Sequence, residues 1–396
     1  MCIRDRLGLH GCLADDMGLG KTMQVIARLV QERESVPEAN APAPTLLIAP
    51  TSVIGNWEKE AAKFAPHLKT LVHHGPDRAR EAMVFEGLAA GRALVITSYA
   101  LARRDQKLFS SLKWHRVVLD EAQNIKNPKA EQTRAVLKLQ ARHRLALTGT
   151  PVENRLTDLW SIFNFVSPGY LDTQARFRKR YELPVQRDKD PVQTATLKRL
   201  VEPFILRRVK TDKAIIADLP DKVEAIQYCN LSKEQAALYE SVVRDVERQL
   251  EEKDGIERQG LMLSTLMRLK QICNHPAQFL QDGSAFTSER SHKVQRLEEM
   301  LEEAMAEGDS VLIFSQFTEI GSQLEQRLRR DLHYNTYYLH GGTSRTRRET
   351  MIEAFQDPAT EPSVFVLSLK AGGVGITLTR ANHVFHFDRW WNPAVE

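Results

Sequence analysis

Cysteine is scarce in this sequence, and the four present, Cys2, Cys12, Cys229 and Cys273, show no C-x-x-C spacing. That argues against a disulfide framework or a zinc ribbon and makes a reducing compartment the default. Cys273-Asn274-His275 offers metal-capable atoms, but two ligands do not make a site. Long apolar runs are missing too: none approaches the roughly 18 residues that a membrane span needs. No signal peptide is visible at the start. Neither sign of charge dominates. The formal net charge of +4 is compatible with nucleic acid without arguing for it. What is present is globular in balance, 42% hydrophobic and 27% charged. The 396 residues exceed one compact core and predict two or three domains.

Read for apolar runs, the first 150 residues hold five short strand candidates: Gly11–Ala14, Thr45–Ala49, Ala93–Thr97, Arg116–Leu119 and Arg144–Leu147. Polar or glycine residues follow each, and then a helix-like stretch, which is how a buried parallel sheet reads. Ligands of such sheets collect beyond the carboxyl ends of the strands. Those ends carry Asp16 to Thr22, Pro50-Thr51-Ser52, Thr97-Ser98, Asp120-Glu121 and Thr148-Gly149-Thr150. Four further candidates follow near the C-terminus: Val311–Phe314, Thr336–Leu339, Val364–Leu367 and His383–Phe387. Their ends carry Ser315-Gln316, His340-Gly341-Gly342, Ser368-Leu369-Lys370 and Asp388. The expected fold is α/β, with parallel-sheet lobes over 1–170 and 291–396 and a helical insertion over 171–290. Within that insertion, residues 172–213 hold twelve Lys/Arg against six Asp/Glu. Ser232, with Gln235 three residues on, predicts a capped helix to Leu250, and Leu261 to Cys273 predicts another.

The chemistry concentrates in two places. Gly18 and Gly20 let backbone approach a phosphate, and the helix opening near Lys21 aims its N-terminus at the anion. Lys21 would neutralise the β/γ-phosphates and Thr22 would ligate magnesium. The strict G-x-x-x-x-G-K-[ST] pattern fails, because Asp15 stands at its first glycine. The alternative is a glycine-rich turn opening an ordinary helix. Asp120-Glu121, after the apolar Val117-Val118-Leu119, places two carboxylates at the same sheet edge. Asp120 would hold the metal and Glu121 would deprotonate the attacking water. An acidic helix cap is the competing explanation.

Ala14-Asp15-Asp16-Met17-Gly18-Leu19-Gly20-Lys21-Thr22 resembles the phosphate motif of SWI/SNF-type ATPases, a branch of the superfamily-two helicases that tolerates the missing glycine. Asp120-Glu121-Ala122-Gln123 resembles their DEAH-like box in a bacterial form. Leu147-Thr148-Gly149-Thr150-Pro151-Val152-Glu153-Asn154 is similar to the coupling motif. Phe204-Ile205-Leu206-Arg207-Arg208, Cys273-Asn274-His275-Pro276, Val311 to Phe317, Lys370-Ala371-Gly372-Gly373-Val374-Gly375 and Trp390-Trp391-Asn392-Pro393 match further landmarks, in order, over nearly the whole length.

The resemblance implies two RecA-like lobes that use ATP and Mg2+ to translocate along double-stranded DNA. ATP would be held by Asp16, Met17, Gly18, Leu19, Gly20, Lys21 and Thr22, with Gln123 linking its site to the coupling motif. DNA backbone would be met by Thr51, Ser98, Thr150, Arg207 and Arg208, and by Ser315, His340, Gly341, Lys370 and Thr377 of the second lobe. Such contacts position without reading sequence and are salt-dependent. Arg207 and Arg208 could equally brace the lobes. The Arg176, Arg178, Lys179 and Arg180 cluster reads either as a DNA-facing patch or as a solvated helix face. Trp390 and Trp391 read either as core or as a stacking surface, and an aromatic pair at a strand end is more often core. A cytoplasmic, nucleoid-associated bacterial protein is implied, with RNA polymerase or another DNA-bound complex as a possible target. Both ends depart from the family. Met1 to Arg6 fits none of its patterns, and the arginine-bearing motif expected after Glu396 is missing, so feeble hydrolysis is expected. An RNA helicase of the same superfamily and a nucleotide-gated binding module without turnover are the competing functions.

Overall fold

The structure, a computed structural model, describes residues 10–37, 40–150, 152, 155–212, 215, 223–251, 255–372 and 376–390. Of the motif residues named above, Met1–Arg6, Pro151, Glu153, Asn154, Gly373–Gly375 and Trp391–Pro393 lie outside that set. The chain forms two compact units, residues 1–221 and 222–394.

The first unit is built on a parallel sheet of seven strands. They are β1 (Gly11–Leu13), β2 (Thr45–Ala49), β3 (Thr70–Val72), β4 (Leu94–Ser98), β5 (Trp114–Leu119), β6 (Ala141–Leu147) and β7 (Ile205–Leu206). Their spatial order is β3-β4-β2-β5-β6-β1-β7. Every residue of β2 and β4 is buried. Strands covered on both faces have no polar side to alternate with, so they read as unbroken apolar runs. Leu46, Ile48, Val95, Val117 and Leu119 pack there with Phe85, Phe109 and Trp114. Two strands escape the apolar-run reading. β3 is three half-buried residues, and β7 is two, set at the sheet edge beside β1. Phe204 to Arg208, expected within the helical insertion, therefore contributes a strand to the first sheet.

The second unit carries the sheet β11-β8-β10-β9, again parallel throughout. Its strands are β8 (Ser310–Ser315), β9 (Asn335–Leu339), β10 (Ser363–Ser368) and β11 (Ala381–His386). All four fall where the apolar runs predict them. The same unit includes the helices Lys233–Glu251 and Gly255–Asn274. Ser232 opens the first with a reciprocal cap: Gln235 N–H donates to its Oγ at 3.2 Å, and Ser232 N–H donates to Gln235 Oε1 at 3.0 Å. The stretch 171–290 is thus shared. Leu171, Phe177, Tyr181, Leu197, Val201 and Phe204 pack on Leu159, Trp160 and Phe163 of the first unit, while residues from 223 onward belong to the second.

Candidate active site

Register sets the site. In the first sheet β6 lies between β1 and β5, with Leu147 opposite Leu13 and Ala146 opposite Leu119. The three strands end almost level. The loops that begin at Ala14, Asp120 and Thr148 therefore leave the sheet side by side, as parallel α/β architecture requires of a ligand site.

The first loop turns through Gly18 at φ +83° and Gly20 at φ +72°. Both are left-handed, a conformation glycine adopts without a Cβ penalty. Gly20 caps the helix Lys21–Glu34 with no side-chain hydrogen bond to its first amides. Those N–H groups and the helix dipole face the loop, the ordinary way a protein binds phosphate. Lys21 Nζ donates to Asp15 O at 2.7 Å and Asp16 O at 3.3 Å. Burial lowers its pKa, and the carboxylates of Glu121, Asp120, Asp15 and Asp16 oppose that shift. Its ammonium thus sits in the field of both acidic-box residues.

At the end of β5, Asp120 Oδ2 accepts from Trp57 Nε1 at 2.7 Å and Oδ1 from Glu121 N–H at 3.0 Å. Burial raises the Asp120 pKa even though these donors and Lys21 favour its charged form. Glu121 has φ +49°, a left-handed conformation held in a non-glycine residue, of the kind that clusters at active sites. Gln123 Nε2 donates to Glu121 Oε2 at 2.9 Å, and Gln123 Oε1 accepts from Thr148 Oγ1 at 2.8 Å. Thr150 N–H then donates to Thr148 Oγ1 at 3.1 Å. Hydrogen bonds thus run unbroken from the acidic box to the loop after β6.

Arg207 and Arg208 lie on the phosphate loop. Arg208 pairs with Asp15, and Arg207 Nη1 donates to Gly149 O at 3.3 Å and Ala14 O at 3.4 Å. Among the site residues Trp57 carries no mark in the sequence, Asp15 is marked only as a departure from the phosphate-loop pattern, and Thr148 only as part of a strand end and the coupling motif. An aspartate at a glycine position was the available signal, since a carboxylate placed in a tight turn needs a partner.

The remaining nucleic-acid candidates differ in how free their polar groups are. Thr51 is exposed in the turn after β2. Ser98 is buried, and its Oγ accepts from Leu101 N–H at 3.2 Å as a helix cap. Beside them lies a cleft of about 360 Å³ lined by Thr51, His74, Arg78, Ser98 and Arg104. It shares Arg78 and Arg104 with a second cleft of about 650 Å³, to which Arg80, Arg103 and Lys107 also contribute. In the second unit Ser315 is buried and its hydroxyl donates to Asp388 Oδ2 at 2.6 Å. His340 N–H donates to Thr343 Oγ1 at 3.1 Å, and Gly341 and Thr377 are exposed. Lys370 lies in the helix Leu369–Gly372, and its side chain lies outside the described set. Arg176, Arg178, Lys179 and Arg180 are exposed.

Residues 1–278 match the SNF2-related domain and residues 292–396 the helicase conserved C-terminal domain. The chain is 45% identical to the putative ATP-dependent helicase/translocase YwqA of Bacillus subtilis, over 98% of this chain and 42% of that protein. It is 34% identical to the SWI/SNF-related matrix-associated actin-dependent regulator of chromatin subfamily A member 1 of Homo sapiens, over 98% of this chain and 37% of the relative. Among solved structures it resembles the Sulfolobus solfataricus SWI2/SNF2 ATPase core in complex with dsDNA, with a TM-score of 0.54 and 42% identity. That match covers 99% of this chain and 80% of the other. The chain spans less than half the length of the curated relatives it matches.

Proposed function

The chain belongs to the SNF2-related family of ATP-dependent helicases, and from that membership we propose that it hydrolyses ATP to move along double-stranded DNA. The observation that carries the reading is that the Lys21 ammonium lies in the field of Asp120 and Glu121, on loops that leave the ends of β1 and β5 on either side of β6. Backbone N–H groups of Gly18 to Thr22 and the Lys21 ammonium bind the phosphates. The donor set fits a hard divalent cation: the Asp120 carboxylate at the strand end and the Thr22 hydroxyl in the first helical turn would hold Mg2+. When bound, that ion screens charge on the transferring phosphoryl group. Glu121 takes the proton of the attacking water, with its carboxylate oriented by Gln123. Thr148 and Thr150 carry the state of that carboxylate to the neighbouring loop.

Duplex DNA runs along the carboxyl edge of the first sheet, past Thr51 and the basic clefts; in the second unit, taken by itself, His340, Gly341 and Thr377 are the groups suited to phosphate contact. The complex of the Sulfolobus solfataricus relative with dsDNA supports duplex over RNA. Phosphate contacts of this kind give affinity without base specificity.

ATP turnover measured with duplex DNA, with RNA and with neither tests the reading. Stimulation by duplex alone is expected. Equal stimulation by RNA would replace it with an RNA helicase. Glu121→Gln should retain nucleotide and lose turnover by roughly 10²–10⁴-fold. Surviving turnover would remove Glu121 from the role of base.

A further inference from the structure

Asp15 occupies the position of the first glycine in the strict phosphate-loop pattern, and it is fully buried. A buried carboxylate is strongly unfavourable unless it is paired and fully hydrogen-bonded. Here both oxygens are taken. Oδ1 accepts from the Arg208 backbone N–H at 2.9 Å. Oδ2 accepts from Arg208 Nε at 3.1 Å, from Arg208 Nη2 as well, and from Gln24 Nε2 at 3.3 Å. Burial pushes the Asp15 pKa up, but these donors outweigh it and hold the group below its ordinary value.

Backbone contacts extend the same junction. Ala14 N–H donates to Leu206 O at 2.7 Å and Asp16 N–H to Arg208 O at 3.0 Å. Lys210 N–H donates to Asp16 Oδ2 at 3.0 Å. Lys210 also reaches over the loop, because a Cβ added at Gly18 would come within 2.9 Å of its Nζ. The segment that supplies these groups is anchored by a strand of only two half-buried residues. The carbonyls that hold the Lys21 ammonium are those of Asp15 and Asp16, the two residues this segment fixes.

We propose that Arg208 is a positioning residue for the nucleotide, and that the Asp15–Arg208 clasp links docking of strand β7 to nucleotide binding on the phosphate loop. Opening the clasp strands the Asp15 carboxylate and frees the backbone that aims Lys21. Linkage is reciprocal, so bound nucleotide strengthens β7 docking by the factor that docking strengthens nucleotide binding. β7 is the last strand of its sheet before the chain passes, after residue 221, into the second unit. A pull on that connection is therefore felt at the phosphates.

This rests on the phosphate loop being a nucleotide site, and the experiment separates the two ideas. Magnesium and the fluorescent nucleotide mant-ADP are titrated into the chain and into Arg208→Ala, Arg208→Lys, Asp15→Asn, Asp15→Asn/Arg208→Ala and Lys21→Ala. Arg208→Ala should weaken mant-ADP binding by about tenfold or more, the loss expected for charge-assisted hydrogen bonds. Arg208→Lys keeps the charge but not the two-pronged geometry and should fall between. The double variant should bind no more weakly than Arg208→Ala, because both changes break one interaction. The amides of Arg208 and Lys210 should exchange hydrogen about tenfold more slowly with ADP present, and Arg208→Lys should lose most of that protection. If Arg208→Ala fails to fold by circular dichroism, Arg208→Lys and the exchange data decide. Binding within twofold of the parent in Arg208→Lys, with exchange indifferent to ADP, overturns the clasp. A parent chain that does not bind mant-ADP, or Lys21→Ala binding as well as the parent, would instead overturn the nucleotide site itself.

Discussion

Gln123 holds Glu121: its Nε2 donates to the Glu121 carboxylate at 2.9 Å, while its own oxygen is anchored by Thr148 at 2.8 Å. In the role proposed for Glu121, a carboxylate that takes a proton from water works only if aimed, and the aim would depend on the loop after the neighbouring strand. Gln123→Leu removes both bonds and leaves the phosphate loop untouched. The expected result is a kcat lower by about tenfold or more, with KM for ATP little changed. Thr148→Val should give a smaller loss of the same kind. Steady-state ATP hydrolysis with saturating duplex DNA checks this. A raised KM at constant kcat would mean that Gln123 only binds nucleotide.

Trp57 is 1% exposed and donates to Asp120 at 2.7 Å, a bond that favours the ionised carboxylate. Burial raises the Asp120 pKa in the folded state. Its contribution to stability is therefore fully present below the ordinary carboxylate range and is lost as pH rises through the raised value. Trp57→Phe raises that pKa further and makes the loss steeper. The variant should be destabilised by about 2 kcal/mol where Asp120 is ionised and by less at acid pH, where the neutral carboxyl depends less on the indole N–H. Thermal melts across pH 4–8 measure the difference. A penalty independent of pH would show that the indole packs without serving Asp120.

Of the eleven strands among the described residues, nine were legible in the sequence as short apolar runs that end in polar or glycine residues, most plainly β2, β4 and β10, which are buried throughout. β3 and β7 were not, being three and two residues at the edges of one sheet. The phosphate loop, acidic box and coupling loop were legible as a set because they are local segments at strand ends. The partner of Asp15 was not, since Arg208 reaches it from 193 residues away. Ser98 and Ser315 illustrate another limit. A hydroxyl at a strand end looks the same in sequence whether it faces a ligand or turns back to cap a helix or meet Asp388. The basic clefts went unread because their cations come from two segments, and only the unread strand β3 brings residues 73–80 beside 98–107.

Gly321 faces Tyr338. A Cβ added there would lie 2.5 Å from the ring Cε2 and 2.7 Å from Cζ and the hydroxyl. The ring cannot easily move aside, because its hydroxyl donates to Thr318 O at 2.8 Å. Alanine normally improves a helix by roughly 1 kcal/mol over glycine. At this position overpacking of about 1–3 kcal/mol works against that gain, and Gly321→Ala should destabilise the second unit. Tyr338→Ala should relieve the contact, so the double variant should be more stable than the sum of the single losses predicts. Denaturant unfolding of the four proteins checks the sign, and additivity would contradict the clash.

Asp105 is the only carboxylate among the residues lining the larger cleft, and it is already engaged by Arg78 Nε at 2.7 Å and His73 Nε2 at 3.0 Å. It therefore does little to cancel the exposed charges of Arg80, Arg104 and Lys107, for which no ion pair occurs among the described residues. Cations left unpaired beside the exposed Thr51 turn are suited to a phosphate backbone. Reversing two of them, in Arg104→Glu/Lys107→Glu, should weaken binding to duplexes of any sequence. The slope of log affinity against log salt should fall by about one for each phosphate contact removed. Nucleotide affinity without DNA should stay unchanged, because the phosphate loop lies at β1, on the far side of β2, β5 and β6 from these residues. Binding isotherms at four or more salt concentrations give the slope. A slope identical to that of the parent chain would move the nucleic-acid track away from this cleft.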